Sequence, residues 1–549
     1  MTKKFLSIAL CLCLVCTVFA ALPLAVATVS AASTAIDGDY RYEINEDGKT
    51  VKIYSYLGKE TELTMPSTLG GYTVTEIASW AFRDDVGLTS FTLPNTITTI
   101  HSGAFSGCKN LTTFTLTNSI TTIAGNAFEY CDKLTSVMIP KSVSYLAPSA
   151  FYGCKNIKKI NIVDANLYYS DVNGIVYNKA QTELISYPAG LTATSYEISY
   201  NVNTIGSMAF AGNSYLQSVN IVDSVETINP SAFAECSALT DVTMTDNVTK
   251  IDIYAFSYCP NLKNVTLSEE LTAISHGLFE GCTGLTNITI PAKVTGIGAW
   301  AFQYCESLAK ITIRTATTTI KTNAFAYCKA LTKITIPSKV TDIAFPQFVG
   351  CENLATIEVN SKNTEYCSID GVLYNKAATM LMCYPPAKAQ TSFTVPDSVT
   401  EIFYDAFVGC GNLTSLTIPN SVTNIYEDNY GDTFNDCPNL TFYCNTNSYA
   451  HSYAVQNNIP FVLLDVPTEP ISTIPNSTPI LGDADGDGSV TISDATAIQK
   501  HLAQLEPLDE NALLAANADG KDEVTIADAT AIQKFLAQLE VGDIGKMIS

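Results

Sequence analysis

A cysteine recurs every 23 residues through much of this chain, and the text around it recurs with it. Cysteines fall at 108, 131 and 154, then at 236, 259, 282, 305, 328 and 351. The apolar positions are stricter than the cysteine itself. Phe stands three residues before that position in all 13 copies that align, from Phe82 and Phe105 through Phe302 and Phe325 to Phe407 and Phe434. Asp85 and Asn213 replace the cysteine in two copies, and Cys410 and Cys437 mark the last two. Three residues after it comes Leu, as in Leu111 and Leu331, or once Ile157. An alternating segment follows, such as Leu331-Thr-Lys-Ile334-Thr-Ile336-Pro337, and then an apolar pair, Val340 and Ile343. Thr alternating with Ile predicts a short strand, and Pro337 stops it from lengthening. A 23-residue unit cannot bury its own Phe, Leu and Ile, whereas stacked copies line them into continuous ladders. The array is therefore expected to be a β-rich repeat solenoid, with coils about 4.8 Å apart.

The period breaks twice, and in the same way. Cys154 to Asn213 and Cys351 to Cys410 both span 59 residues. The gaps hold DVNGIVYNKAQTELISYP (Asp171 to Pro188) and SIDGVLYNKAATMLMCYP (Ser368 to Pro385). Each reads as a hairpin, with an Asn-Gly or Asp-Gly turn, a strand, a polar turn and a second strand. The recurring AFxxCxxLTxIxIPxxVTxI and the DGxLYNKAxxxLxxYP insertions resemble the BspA-like bacterial class of leucine-rich repeats. DGDYRYEINEDGKTVKIYSYLG (Asp37 to Gly58) resembles the leading segment of that class, and NSYAHSYAVQNNIPFVLLD (Asn447 to Asp465) its closing one. The resemblance implies a leucine-rich-repeat fold and a surface or secreted binding protein. The fold by itself carries no chemistry.

Seventeen cysteines would ordinarily suggest a disulfide framework. An unbroken ladder of neighbours cannot pair throughout, and single cysteines lack the CxxC spacing of a zinc site. A small buried side chain filling a tight turn is the expectation. A local disulfide between Cys367 and Cys383, both in the second insertion, stays open.

The N-terminus has Lys3 and Lys4 before an apolar run, Phe5 to Val26, and then Ser30-Ala31-Ala32. This reads as a secretory signal peptide cleaved near Ala31 or Ala32. With 30 Lys+Arg against 53 Asp+Glu the net charge is −23, which opposes phosphate-mediated nucleic-acid binding and suits a calcium load. The four histidines, His101, His276, His451 and His501, share no motif. No nucleophile elbow, zinc helix or phosphate loop occurs, so the array is expected to be non-catalytic. A polysaccharide-active enzyme such as a glycoside hydrolase hidden in the array, or a structural spacer, are the competing readings. Outward strand positions, such as Thr113 and Thr115, Asn287 and Thr289, Lys310 and Thr312, form a hydroxyl and amide stripe. It lacks aromatic platforms, which favours a protein ligand over a polysaccharide. Tyr130, Tyr258, Tyr304 and Tyr327, each just before the cysteine position, form a separate partial aromatic row. Its exposure decides whether it could take a carbohydrate.

After VPTEPISTIPNSTPI (Val466 to Ile480), a Pro/Ser/Thr spacer, the chain repeats itself at another scale. TISDATAIQKHLAQLE (Thr491 to Glu506) and TIADATAIQKFLAQLE (Thr525 to Glu540) match at 14 of 16 positions, 34 residues apart. Before the first copy, Asp483, Asp485 and Asp487 hold positions 1, 3 and 5 of a calcium loop, with Gly488 at the sharp turn. Ser489 at 7, Thr491 at 9 and Asp494 at 12 complete a hard-oxygen set. Ile498, Leu502 and Leu505 then read as one apolar helix face. In the second loop Asn517 and Asp519 hold positions 1 and 3, but Lys521 sits at 5 and Asp522 replaces the turn glycine. An ammonium there repels the ion, so this site is expected to be weaker, with Asp522, Glu523 and Asp528 as substitute ligands. Asp at position 12 and the lack of an entering helix depart from an ordinary EF-hand. Two such units resemble the type I dockerin domain, an all-α calcium-binding module that docks onto a cohesin module of a scaffoldin in cellulosome-type, polysaccharide-degrading complexes. The resemblance places cohesin recognition at Ile492, Ser493, Gln499, Lys500 and Gln504, and at Ile526, Ala527, Gln533, Lys534 and Gln538. Gln-Lys stands at both pairs in place of the more familiar Lys-Arg. The chain thus divides into a signal peptide (1–32), a solenoid (33–465) with insertions at about 168–190 and 365–388, a linker (466–480) and a dockerin (481–549).

Overall fold

The computed structural model describes residues 34–427, 433–465, 480–485, 489–503, 508, 510–518 and 524–536. The expected signal peptide and nearly all of the expected linker lie outside them. The chain forms two compact units, 1–465 and 466–549.

The first unit is a β-solenoid. It starts with a meander, β1 (Thr34–Asp37), β2 (Tyr40–Ile44) and β3 (Thr50–Tyr56), paired antiparallel. β3 then pairs parallel with Tyr72–Ile77, and from there coil stacks on coil. Each coil carries two strands where the sequence promised one and a short apolar pair. Lys310–Thr312 lies in register on Asn287–Thr289, and Thr319–Ile320 lies between Gly296–Ile297 and Asp342–Ile343. Between regular coils the pairing partner is the residue 23 positions away, and the offset changes only at the entry, the insertions and the closing segment. Thr and Asn side chains add to this register, as when Thr318 Oγ1 donates to Thr295 O (3.0 Å) and Asn353 Nδ2 to Lys329 O (2.9 Å).

The turn between coils sets the Phe. Phe302 N donates to Ala324 O one coil on (2.9 Å), and the ring is fully buried. Neighbouring rings stack nearly parallel, with centroids 4.8 Å apart for Phe210–Phe233 and 5.0 Å for Phe233–Phe256. Many of these turns need left-handed backbone one residue before the cysteine position. Gly supplies it at 107, 153, 212, 281, 350 and 409, but Tyr130, Tyr258, Tyr304 and Tyr327 adopt it too. A non-glycine residue there costs about 1–2 kcal/mol.

The cysteines are stitches between coils. Cys305 Sγ donates to Phe279 O (3.2 Å) and Cys328 Sγ to Phe302 O (3.2 Å), in each case 26 residues back. The two exceptions do a different job at the same place. Asp85 Oδ1 accepts from Gly87 N and Leu88 N, and Asn213 Oδ1 from Tyr215 N and Leu216 N. These are turns closed by an Asx side chain. Cys367 and Cys383 are separate thiols, so the disulfide left open for the second insertion does not form. Cys367 Sγ donates instead to Asn375 O (3.2 Å).

The insertions have one strand more than a hairpin. Tyr169–Val172, Ile175–Asn178 and Glu183–Ser186 form an antiparallel three-stranded unit, and its last strand rejoins the parallel stack on Thr204–Ile205. Tyr366–Ile369, Val372–Asn375 and Met380–Cys383 repeat this. Tyr187 and Tyr384 take the Phe position there and stack on Phe210 and Phe407. The buried core falls into three clusters whose boundaries lie at these insertions. Helix α1 (Tyr449–Gln456), capped by Ser448, closes the unit by setting Tyr453 against Phe434 and Phe442. No helix among the described residues is long and apolar enough to cross a membrane.

Burial pushes the thiols of Cys236, Cys259, Cys305 and Cys328 up, and those of Cys108 and Cys351 to about 12. The reactive thiolate is therefore scarce at pH 8. The native array should leave Ellman's reagent uncoloured by its fully buried ladder thiols, Cys108 to Cys410, with full reaction in denaturant. Phe302→Ala should cost about 3–5 kcal/mol, read as a lower urea midpoint.

Candidate functional site

The C-terminal unit is built from helices α2 (Ile492–Leu502), α3 (Glu510–Ala516) and α4 (Ile526–Leu536). α2 and α4 pack together, and their core is a set of counterparts 34 residues apart: Ala484 and Ala518, Ala495 and Ala529, Ile498 and Ile532. The sequence duplication is thus a pseudo-symmetric pair of loop-helix units. α3 stands before the second loop, where no entering helix was expected. Leu502 is also displaced from expectation. Helical spacing puts it beside Ile498, yet it is 40% exposed, and so is its counterpart Leu536 at 41%. Ile498 and Ile532 fill the contact between the two helices, and Leu502 and Leu536 are left outside it. Leu505 lies outside the described residues.

The first loop gathers carboxylates. Asp483, Asp485 and Asp494 each place an oxygen within 4.8 Å of the others. Asp494 is fully buried at the first turn of α2, where Oδ2 accepts from Thr491 N (2.6 Å) and Oδ1 from Asp485 N (3.0 Å). Thr491 Oγ1 accepts from Ser493 N (3.1 Å), which completes a capping box. The helix therefore fixes the rotamer of the residue at loop position 12, and the loop closes onto it. Carboxylates this close, two of them buried, repel unless a cation lies among them. Hard oxygens on a loop-helix junction are what calcium takes, so these residues fit that ion. Ser489 is exposed. Asp487 and Gly488 lie outside the described residues.

The second loop keeps the helix-side half of this arrangement. Asp528 is fully buried, and its Oδ2 accepts from Thr525 N (2.7 Å). Asn517 Oδ1 is buried with no hydrogen-bond partner among the described residues, as an oxygen reserved for a ligand would be. It is an amide where Asp483 is a carboxylate. Asp519, Lys521, Asp522 and Glu523 lie outside the described residues.

The expected recognition residues share one character. Ile492, Ser493, Gln499 and Lys500 on α2 are exposed, and so are Ile526, Ala527, Gln533 and Lys534 on α4. Ile492 and Ile526 are 58% and 59% exposed, which is unusual for isoleucine and nearly identical in the two copies. Leu502 and Leu536 extend these faces, and helical spacing alone had assigned Leu502 to the core. Gln504 and Gln538 lie outside the described residues. In the array, the stripe positions point outward as expected, with the residue between them turned inward, as in Asn287–Thr289 and Lys310–Thr312. His101 pairs with Glu76 (2.6 Å), away from the other histidines in sequence and in role.

Fold and site together define a repeat solenoid joined to a small, acidic-loop docking module. The family pattern "BspA type Leucine rich repeat region" matches residues 75–192, 186–308, 251–369 and 383–477, and the chain belongs to that family. A "Dockerin type I domain" pattern matches residues 481–537. No curated protein matches the chain. Among solved structures, a leucine-rich repeat protein from Eubacterium ventriosum is 24% identical, with 63% of this chain and 100% of that one covered at a TM-score of 0.50. A leucine-rich repeat protein from Bacteroides ovatus is 21% identical, with 78% and 99% covered at a TM-score of 0.35. A leucine rich cell surface protein from Faecalibacterium prausnitzii is 23% identical, with 60% and 95% covered at 0.32. Leucine-rich repeat families are non-catalytic binding modules, and type I dockerins bind calcium and assemble with cohesins.

Among the described residues the core has seven members, mostly alanine, a small core for a domain to rest on unaided. Chelation with EGTA should therefore melt the C-terminal helices while the array's β signal in circular dichroism stays. Calorimetry should find one tighter and one weaker calcium, and Asp494→Asn should weaken the tighter one at least tenfold. Two equally tight ions would contradict the difference between Asp483 and Asn517.

Proposed function

We propose that this is a secreted, non-catalytic binding or adhesion protein, carried on a scaffoldin of a polysaccharide-degrading, cellulosome-type complex by its calcium-dependent dockerin. In this reading residues 1–32 are a signal peptide, 33–465 the ligand-binding solenoid, 466–480 the spacer and 481–549 the dockerin. Asp483, Asp485, Asp487, Ser489, Thr491 and Asp494 hold one calcium. Asn517, Asp519, Asp522, Glu523 and Asp528 hold a second, weaker one. The cohesin contacts Ile492, Ser493, Gln499, Lys500 and Gln504, or the equivalent Ile526, Ala527, Gln533, Lys534 and Gln538.

The observation that carries the reading is the pair of matched faces, each led by an exposed isoleucine, on helices anchored by buried aspartates. Apolar side chains held out in water at equivalent places suit an interface that is buried only when a partner docks. Because either face presents the same groups, the module can dock in two orientations. Gln499→Ala with Lys500→Ala should leave cohesin capture within a fewfold of wild type, and adding Gln533→Ala with Lys534→Ala should abolish it. Complete loss from the first pair alone would rule out two-way docking, and capture that persists in EGTA would rule out the calcium-dependent mode. Hydrolysis of a plant polysaccharide by the purified chain would overturn its non-catalytic assignment.

A further inference from the structure

The turn face of the solenoid carries aromatic residues in a backbone conformation that resists them. Tyr254, Tyr258, Trp300, Tyr304 and Tyr327 all have left-handed φ, between 54° and 60°. At the matching position of other coils glycine stands without strain, as at Gly277, Gly281 and Gly350. Bulky side chains in that region are true outliers, and they concentrate where a surface has a use. These five come from three of four successive coils, and His276 stands on the fourth, so they form one patch. Two columns run along it. In the first, His276 makes edge contacts with Tyr254 (centroids 5.3 Å) and Trp300 (4.5 Å). In the second, Tyr304 and Tyr327 stack at 4.7 Å, and Tyr304 is 38% exposed. Tyr258 Oη donates to Glu280 Oε1 (2.7 Å), a carboxylate only 6% exposed, so the phenol is held in place from below. Tyr258 and Tyr327 lie over glycines of the next coil, where a Cβ would meet the rings at 2.6 Å and 2.4 Å.

The patch also lacks something. No lysine or arginine occurs in residues 253–258, 276–281, 299–304 or 322–327, which build it. The flanking Lys321 and Lys329 are paired with Asp342 and with Glu306 and Glu352, so an anionic ligand would find little free counter-charge there, in a chain whose net charge is already −23. What it offers is ring surface and phenol, indole and amide hydrogen-bonding groups, repeated at the spacing of the coils. Those groups suit a pyranose, whose C–H faces are drawn to aromatic rings and whose hydroxyls need donors and acceptors. We propose that Trp300, Tyr304 and Tyr327, supported by Tyr258 and Glu280, form a binding site for a neutral, hydroxyl-rich glycan lying along the solenoid. The proposal rests on the binding role given to the array and names its ligand class. It places that ligand on the turns, away from the threonine stripe.

Glycine variants test it without disturbing the backbone, since glycine already serves at this turn position. The full chain, in calcium, is run through native gels containing mixed-linkage β-glucan, xyloglucan or galactomannan, and through gels containing polygalacturonate. Wild type should be retarded by at least one neutral glycan and not by the anionic one. Trp300→Gly, or Tyr304→Gly with Tyr327→Gly, should lower that affinity tenfold or more, with the melting temperature held and cohesin capture unchanged. Retention of full glycan affinity in these variants overturns the proposal, and so does equal retardation by polygalacturonate or none by any neutral glycan. Cohesin capture read on the same samples tells failure of the glycan site from failure of the docking assignment.

Discussion

The regular coils of the first unit depend on one constraint, that each residue lies over the residue 23 positions away. Parallel pairing imposes it on the two short strands of a coil. Each strand is only two to four residues long over most of the stack, too short to hold alone. Register is held by what repeats around them: the stacked phenylalanines, the thiol donating to the Phe carbonyl of the previous coil, and threonine hydroxyls bonded one coil back. Because each of these works only at the same spacing, a slip of one residue would lose all of them together.

The second unit solves a different problem. Its described residues bury little apolar surface, and buried charge stands beside that small core. Asp494 and Asp528 sit buried at helix starts, where the first-turn amides and the helix dipole favour a carboxylate. One residue therefore meets the helix start and the acidic loop at once: Asp494 accepts from Thr491 N of the cap and from Asp485 N of the loop.

Much of this was readable in the residues. The period, the Phe ladder and the outward alternation of Thr followed from spacing, because a solenoid repeats its environment as strictly as its sequence. The two strands per coil were half seen, since Val340 and Ile343 give too short a signal to name a strand. The extra strand in each insertion was missed because Tyr169–Val172 carries no alternation. In the docking unit, spacing alone set Leu502 inside, but the core there is filled by Ile498, Ile532 and alanines, and Leu502 stays out. The turn aromatics were visible as a row. Their left-handed backbone was not, since nothing in a tyrosine announces a conformation that glycine normally takes.

The three-stranded insertions interrupt the phenylalanine stack, and the buried core is divided where they stand. A stack in which each coil touches only its neighbours would otherwise behave as a single run, with damage anywhere passing along it. Here Tyr187 and Tyr384 each begin a new run after an insertion that rejoins the parallel register. The solenoid is therefore a train of three coupled cars. A block between two couplings can be lengthened, shortened or exchanged by whole coils, and the aromatic patch on the middle block travels intact with it.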